Sequence, residues 1–179
     1  MAKSGINGVD PRNLSTEEFA KLLGPSNGDL DPQVFAKLIK HASAEQLNAV
    51  LDDPQRRGAL LETIFGRMAG QFRPERAPQR DSAIHWRITG GTHGDDVYET
   101  WITGAQGPSA PQCSTNQCST SQQPSHDPRI TLTMPADQFL ALVSGNGSPA
   151  LMLMTGKVSL DGDIGFAANL TNIFDIPHA

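Results

Sequence analysis

Cysteine is scarce in this 179-residue chain, with two in all. No disulfide framework holds it together, and a chain of this length buries roughly 70% of its unfolded surface without one. No apolar run approaches the ~20 residues of a bilayer-spanning helix. Basic residues are outnumbered 14 to 19, a formal charge of −5, which argues against nucleic acid as the main partner. The chain does not open on a basic segment followed by an apolar run. The expectation is therefore no secretory leader, a cytoplasmic and reducing setting, and free thiols. There is no Gly-x-Ser-x-Gly elbow, no P-loop and no His-Glu-x-x-His, so no familiar catalytic or cofactor motif is present. Neither a metal nor a cofactor is expected. Cys113 and Cys118 with His126 make three ligands at most, one short of a closed zinc site.

What is there is unevenly placed. Residues 1–80 carry 11 basic and 10 acidic groups, while residues 81–179 carry 3 and 9, a net −6. The second half also holds the longest apolar runs, so it is mostly interior or surrounds something apolar.

The first half reads as helices. Residues 1–14 have no period. Ser15 with Glu18 forms a capping box ahead of Phe19, Leu22 and Leu23, and Gly24-Pro25 stops that helix. Asp31-Pro32 starts a second helix with Val34, Phe35, Leu38 and Ile39. Ser43 with Gln46 caps a third through Leu47, Val50 and Leu51. Asp53-Pro54 starts a longer one whose apolar face is Leu60, Leu61, Ile64, Phe65, Met68 and Phe72. The organisation expected is an arm over residues 1–30 and a main domain over 31–179. In the latter, 31–80 are helical, 81–134 are strands, and 135–179 hold apolar helices and a short strand. The first two stripes could pack on the domain or serve as an interaction arm, for a second copy or a partner enzyme.

At residue 81 the period changes to two. Ile84, Trp86 and Ile88 alternate with His85, Arg87 and Thr89, a strand with one apolar face. After the Gly90–Asp96 turn, Tyr98, Thr100 and Ile102 share one face of a returning strand and Val97, Glu99 and Trp101 the other. The Gly/Pro/Ser/Gln stretch that follows is a long loop with room for a short edge strand near Cys113 or Cys118. Arg129–Met134 is a further strand. Beyond it lie a helix with Phe139 and Val143, a short one containing Leu151 to Met154, a strand over Lys157–Asp161, and a last helix from Asp163 to Phe174. Three of the five methionines fall between residues 134 and 154, the kind of residue that fills irregular cores or lines adaptable apolar surfaces.

The segment ITLTMPADQFLALVSGNGSPALMLMTGKVSLDGDIGFAANLTNIFDIP, with Thr155-Gly156-Lys157 before a short strand and Gly162-Asp163-Ile164-Gly165 before a final apolar helix, resembles the sterol carrier protein type 2 family. Ile84–Ile88 and Leu61–Met68 resemble the first strand and preceding helix of bacterial members. The resemblance implies an α+β fold: a curved, mostly antiparallel five-stranded sheet, helices over one face, and an apolar tunnel between them. To this the chain adds an N-terminal helical extension and a long polar insert over residues 105–127. It also implies an apolar ligand such as a fatty acyl chain, acyl-CoA, sterol or phospholipid, in a family not defined by a catalytic constellation; the expectation is binding, with transfer as a further step. The ending Pro177-His178-Ala179 is not the Ser-Lys-Leu type of peroxisomal members.

The residues expected to wall the tunnel are Trp86, Phe139, Val143, Met152, Met154, Phe166, Leu170 and Phe174, with the last helix as gate. The alternative is an enzyme using the tunnel for an apolar substrate, such as a cyclase or isomerase. Its candidates are Glu99, whose pKa a nearby apolar pocket would raise, and His85.

Overall fold

A computed structural model describes residues 10–24, 30–105 and 117–176. Cys113, much of the 105–127 insert and the last three residues lie outside them. The first half folds into α1 (Thr16–Leu23), α2 (Pro32–His41), α3 (Ala44–Leu51) and α4 (Pro54–Gly70). Each starts where its cap was read. Ser15 and Ser43 form reciprocal capping boxes, and the Asp31 and Asp53 carboxylates accept the first free amides ahead of a proline.

The strands are β1 (Ser82–Gly91), β2 (Gly94–Ile102), β3 (Cys118–Ser121), β4 (Ile130–Pro135) and β5 (Ser159–Gly162), in the order β3-β2-β1-β4-β5. Three pairings are antiparallel; β1 with β4 is parallel, since the chain returns across the sheet after β3. The edge strand of the polar insert is β3, and Cys118 in it is a buried free thiol whose pKa burial pushes up to about 12. At the other edge Gly162 has φ +109°, and a Cβ there would strike the Arg129 carbonyl, so glycine lets β5 close against the start of β4.

One face of the sheet, Ile84, Trp86, Ile88, Tyr98, Ile102, Ile130, Leu132 and Met134, is buried under the helices. Phe65 of α4 centres an aromatic cluster, stacked on Tyr98 (4.1 Å) and Phe139 (5.1 Å) and edge-on to Trp86 (6.0 Å). Arg57, also on α4, is buried yet satisfied. It pairs with Asp96 at 2.7 Å and donates to the carbonyls of Ile88 and Thr89, tying α4 to the β1–β2 hairpin. Helix α1 belongs to the same core: Phe19 and Leu23 are buried, and α1 packs on α3.

The C-terminal third holds α5 (Ala136–Val143), α6 (Pro149–Met154), α7 (Ile164–Ala168) and α8 (Leu170–Ile173). The single last helix expected from Asp163 to Phe174 is two short ones, broken at Asn169. Its amide bonds to Phe166 O, three residues back, and its side chain to Gly165 O. The break turns Ile173 and Phe174 inward, where Phe174 bridges to Phe72.

Candidate functional site

An apolar cavity of about 310 Å³ opens between the inner sheet face and the C-terminal helices. The sheet contributes Trp86, Leu132 and Leu160, the last two paired across β4 and β5. Met68 and Gln71 come from the end of α4, Leu142 and Val143 from α5, Leu153 from α6, and Ile164 and Ala167 from α7. Leu170, Phe174 and Ile176 close the remaining side. No Lys, Arg, Asp or Glu is among the described wall residues. The indole of Trp86 is fixed by donating Nε1–H to Thr100 Oγ1 at 3.0 Å, and that hydroxyl bonds to the Met68 sulfur. Its polar edge is thereby satisfied and its ring is left as apolar wall.

Of the eight residues expected to contact ligand, Trp86, Val143, Leu170 and Phe174 line this cavity together. Phe139 sits behind the wall, stacked on Phe65 and edge-on to Trp86. Met152 is buried beneath α6, where its carbonyl accepts the amides of Lys157 and Val158. Phe166 lies under the Arg129 guanidinium, 4.3 Å from ring centre to Cζ, on a separate polar groove. Met154 is 85% exposed. Sequence reasoning missed Leu132, Leu142, Leu153, Leu160 and Ile164 as wall residues. The alternation of β4 did place Leu132 on the inner face, and Leu160 is its cross-strand partner.

Phe174 is held in place by a clasp. Arg73 N donates to Ile173 O and Asp175 N to Gln71 O, both at 2.8 Å, and Arg73 pairs with Asp175. Phe72 meets Phe174 edge-on. The segment closing the cavity is thus bonded to the loop after α4 by two backbone hydrogen bonds, a ring contact and one exposed ion pair.

Glu99 and His85 lie elsewhere. They are cross-strand partners on the opposite face of the sheet, and neither lines the cavity. Glu99 is 3% exposed, covered by Ser125 and His126. Its carboxylate accepts from His126 Nδ1 (2.8 Å), His126 N (2.9 Å), His85 Nε2 (3.1 Å), Ser125 N (3.1 Å) and Ser125 Oγ (3.3 Å). Burial alone would raise its pKa, but these hydrogen bonds outweigh it and hold the carboxyl at about 2. The raised pKa that a general base needs is therefore replaced by a lowered one. The His126 ring stacks on Trp101 at 3.7 Å. Among the described residues no cluster of His, Cys, Asp and Glu is arranged to hold a metal ion. No described helix is long and apolar enough to cross a membrane.

A five-stranded mixed sheet covered on its inner face by helices, with an apolar cavity between, defines the class. Residues 92–175, 84 of the chain's 179, match the model of the SCP-2 sterol transfer family. No curated protein matches the chain. Among solved structures, it is similar to the inverting sec-alkylsulfatase Pisa1 from Pseudomonas sp., at 13% identity and TM-score 0.49 over 89% of this chain and 27% of that one. A double mutant of the PisA1 sulfatase gives 11%, 0.50, 94% and 30% in the same order. Sterol Carrier Protein 2 Like 2 from Aedes aegypti gives 20%, 0.46, 64% and 95%. The chain spans less than a third of the sulfatase's length.

Proposed function

We propose that the protein binds an apolar lipid in this cavity and passes it on to an acceptor. The observation that carries the reading is the wall itself: an apolar space of about 310 Å³ with Gln71, Ser148 and Thr171 as its polar residues. That volume lies at the lower end of ligand pockets, which run about 300–1,000 Å³. Affinity comes from removing acyl or ring surface from water at roughly 25 cal/mol per Å². A carboxylate or phosphate has no cation to meet among the described wall residues, so a charged head would stay in solvent at the mouth.

The segment from Leu170 to Ile176 is the gate. It carries Leu170, Phe174 and Ile176 on the wall and is fastened by the Arg73–Asp175 clasp and the Phe72–Phe174 bridge, so it can lift without breaking a pairing of the five-stranded sheet. No observation favours the enzyme alternative, since His85 and Glu99 face away from the cavity.

Mass spectrometry of lipid that co-purifies with the protein, followed by thermal unfolding of delipidated protein with added palmitate or cholesterol, tests the reading. Ligand at a hundredfold excess over its Kd adds about 2.7 kcal/mol of stability, a rise of several degrees in Tm. Leu153→Trp, which fills the cavity from its rim, should abolish that rise. A flat Tm with both lipids and no co-purifying lipid would sink the proposal.

A further inference from the structure

Four large apolar side chains stand exposed among the described residues: Leu151 at 60%, Leu153 at 38%, Met154 at 85% and Ile164 at 72%. All four belong to α6 or to the first residue of α7, and Leu153 and Ile164 are also cavity wall. Apolar side chains scattered singly over a surface need no explanation, but four gathered at the edge of one cavity do. The stretch from Ser148 to Leu160 contains three of them and carries a single charge, the exposed cation Lys157. Lys157 follows Gly156, whose φ of +70° turns the chain sharply after α6.

We propose that this rim docks on the surface of a neutral phospholipid bilayer, across which the cavity exchanges its ligand; the inference rests on the cavity being a lipid site. Size argues against a protein partner. A stable protein interface takes about 800 Å² from each side, which a six-residue helix and one further side chain do not offer. Seating a few apolar side chains some 5–10 Å into a bilayer interface needs no such area. Charge argues for the kind of bilayer. Lys157 suits the phosphate level of the headgroups, while the net −6 of residues 81–179 repels an anionic surface. The occupant is therefore a zwitterionic lipid surface, held by apolar contact and little affected by salt. Continuity completes the argument. Because Leu153 and Ile164 belong to both wall and rim, a lipid leaving past them enters the acyl layer without crossing water.

Sedimentation with phosphatidylcholine vesicles tests the proposal. The full chain should pellet equally at low and high salt, and less when phosphatidylserine is mixed in. Leu151→Gln combined with Met154→Gln alters the rim but not the cavity wall. It should weaken vesicle binding roughly tenfold or more, with Tm and the affinity for a fluorescent fatty acid unchanged. Met154→Gln alone, at the most exposed of the four, should show a smaller loss and serves where the pair does not fold. Equal pelleting of variant and full chain overturns the proposal. So does a full chain that fails to pellet, including one that dimerises through the rim and is dispersed by the same substitutions. Vesicle binding that the rim substitutions abolish, in a protein that binds no fatty acid, would support the docking surface and remove the cavity reading instead.

Discussion

Glu99 shows how the two faces of one strand come to different chemistry. Tyr98 and Thr100 on either side of it point into the core, whereas Glu99 is sealed on the outer face by five hydrogen bonds, mostly from residues 125 and 126. Alternation along β2 placed Glu99 beside Trp101 correctly. Apart from His85 across the hairpin, its partners could not be read, because Ser125 and His126 arrive on a loop 26 and 27 residues downstream with no local signal of their own. The carboxylate's pKa is lowered on folding, so its stabilisation is complete above the ordinary value of 4.5 and is lost as pH falls through about 2. Glu99→Gln should lower stability at neutral pH by about 2 kcal/mol. It should also flatten the fall in Tm between pH 4.5 and 2, as followed by circular dichroism. An unchanged acid limb would mean that other carboxylates set it. Arg57 makes a complementary case. Arg57→Met removes the donor for two carbonyls and for Asp96 at once, and should cost about 3 kcal/mol in urea denaturation without altering the cavity.

Among elements, the starts of the helices were legible and the last of them was not. Capping residues act within one turn, so Ser15, Asp31, Ser43 and Asp53 mark their helices in any context. The apolar spacing from Ile164 to Phe174 suits one helix equally well. The structure breaks it at Asn169, whose amide bonds to Phe166 O and whose side chain bonds to Gly165 O, and the end beyond is tied to the loop after α4 through Ile173 O and Asp175 N. The wall residues divide the same way. Trp86 and Leu132 follow from strand alternation, but Phe139 and Val143 share α5 and only the direction of that helix puts Phe139 behind the wall and Val143 in it. A gate fastened by two backbone hydrogen bonds and one exposed ion pair should open more often than the fully paired sheet. Hydrogen exchange should therefore find the Arg73 and Asp175 amides exchanging faster than those of β1, and slowed by bound lipid. Asp175→Ala should speed both amides and lipid release while leaving the β1 amides unchanged. Protection of the clasp equal to that of β1 would show that the segment does not move independently.

At the scale of the whole molecule, the charge asymmetry separates a helical cover from a sparsely charged cavity half, and the question is whether the cover starts at α2 or at α1. Phe19 is 0% exposed and lies in the same core cluster as Leu38, Phe65 and Ile84. The turn before α1 is tied in as well: Gln46, itself buried on α3, donates to the carbonyls of Pro11 and Leu14 at 3.0 and 2.8 Å. A sequence stripe of three apolar residues cannot say which surface covers it, which is why an independent arm and a core helix read alike before the fold is known. Truncating a buried phenylalanine costs about 3–5 kcal/mol, against about 5–15 kcal/mol for the stability of a typical domain. Phe19→Ala should thus lower Tm by about 6–20 degrees for a chain of this size, and Gln46→Ala by a few degrees through two unsatisfied carbonyls. Both losses should appear at every protein concentration, because the contacts lie within one chain. If α1 serves instead as a detachable partner-binding arm, Phe19→Ala will leave the unfolding of the isolated protein where it was and act only on association, which light scattering across a concentration series would separate.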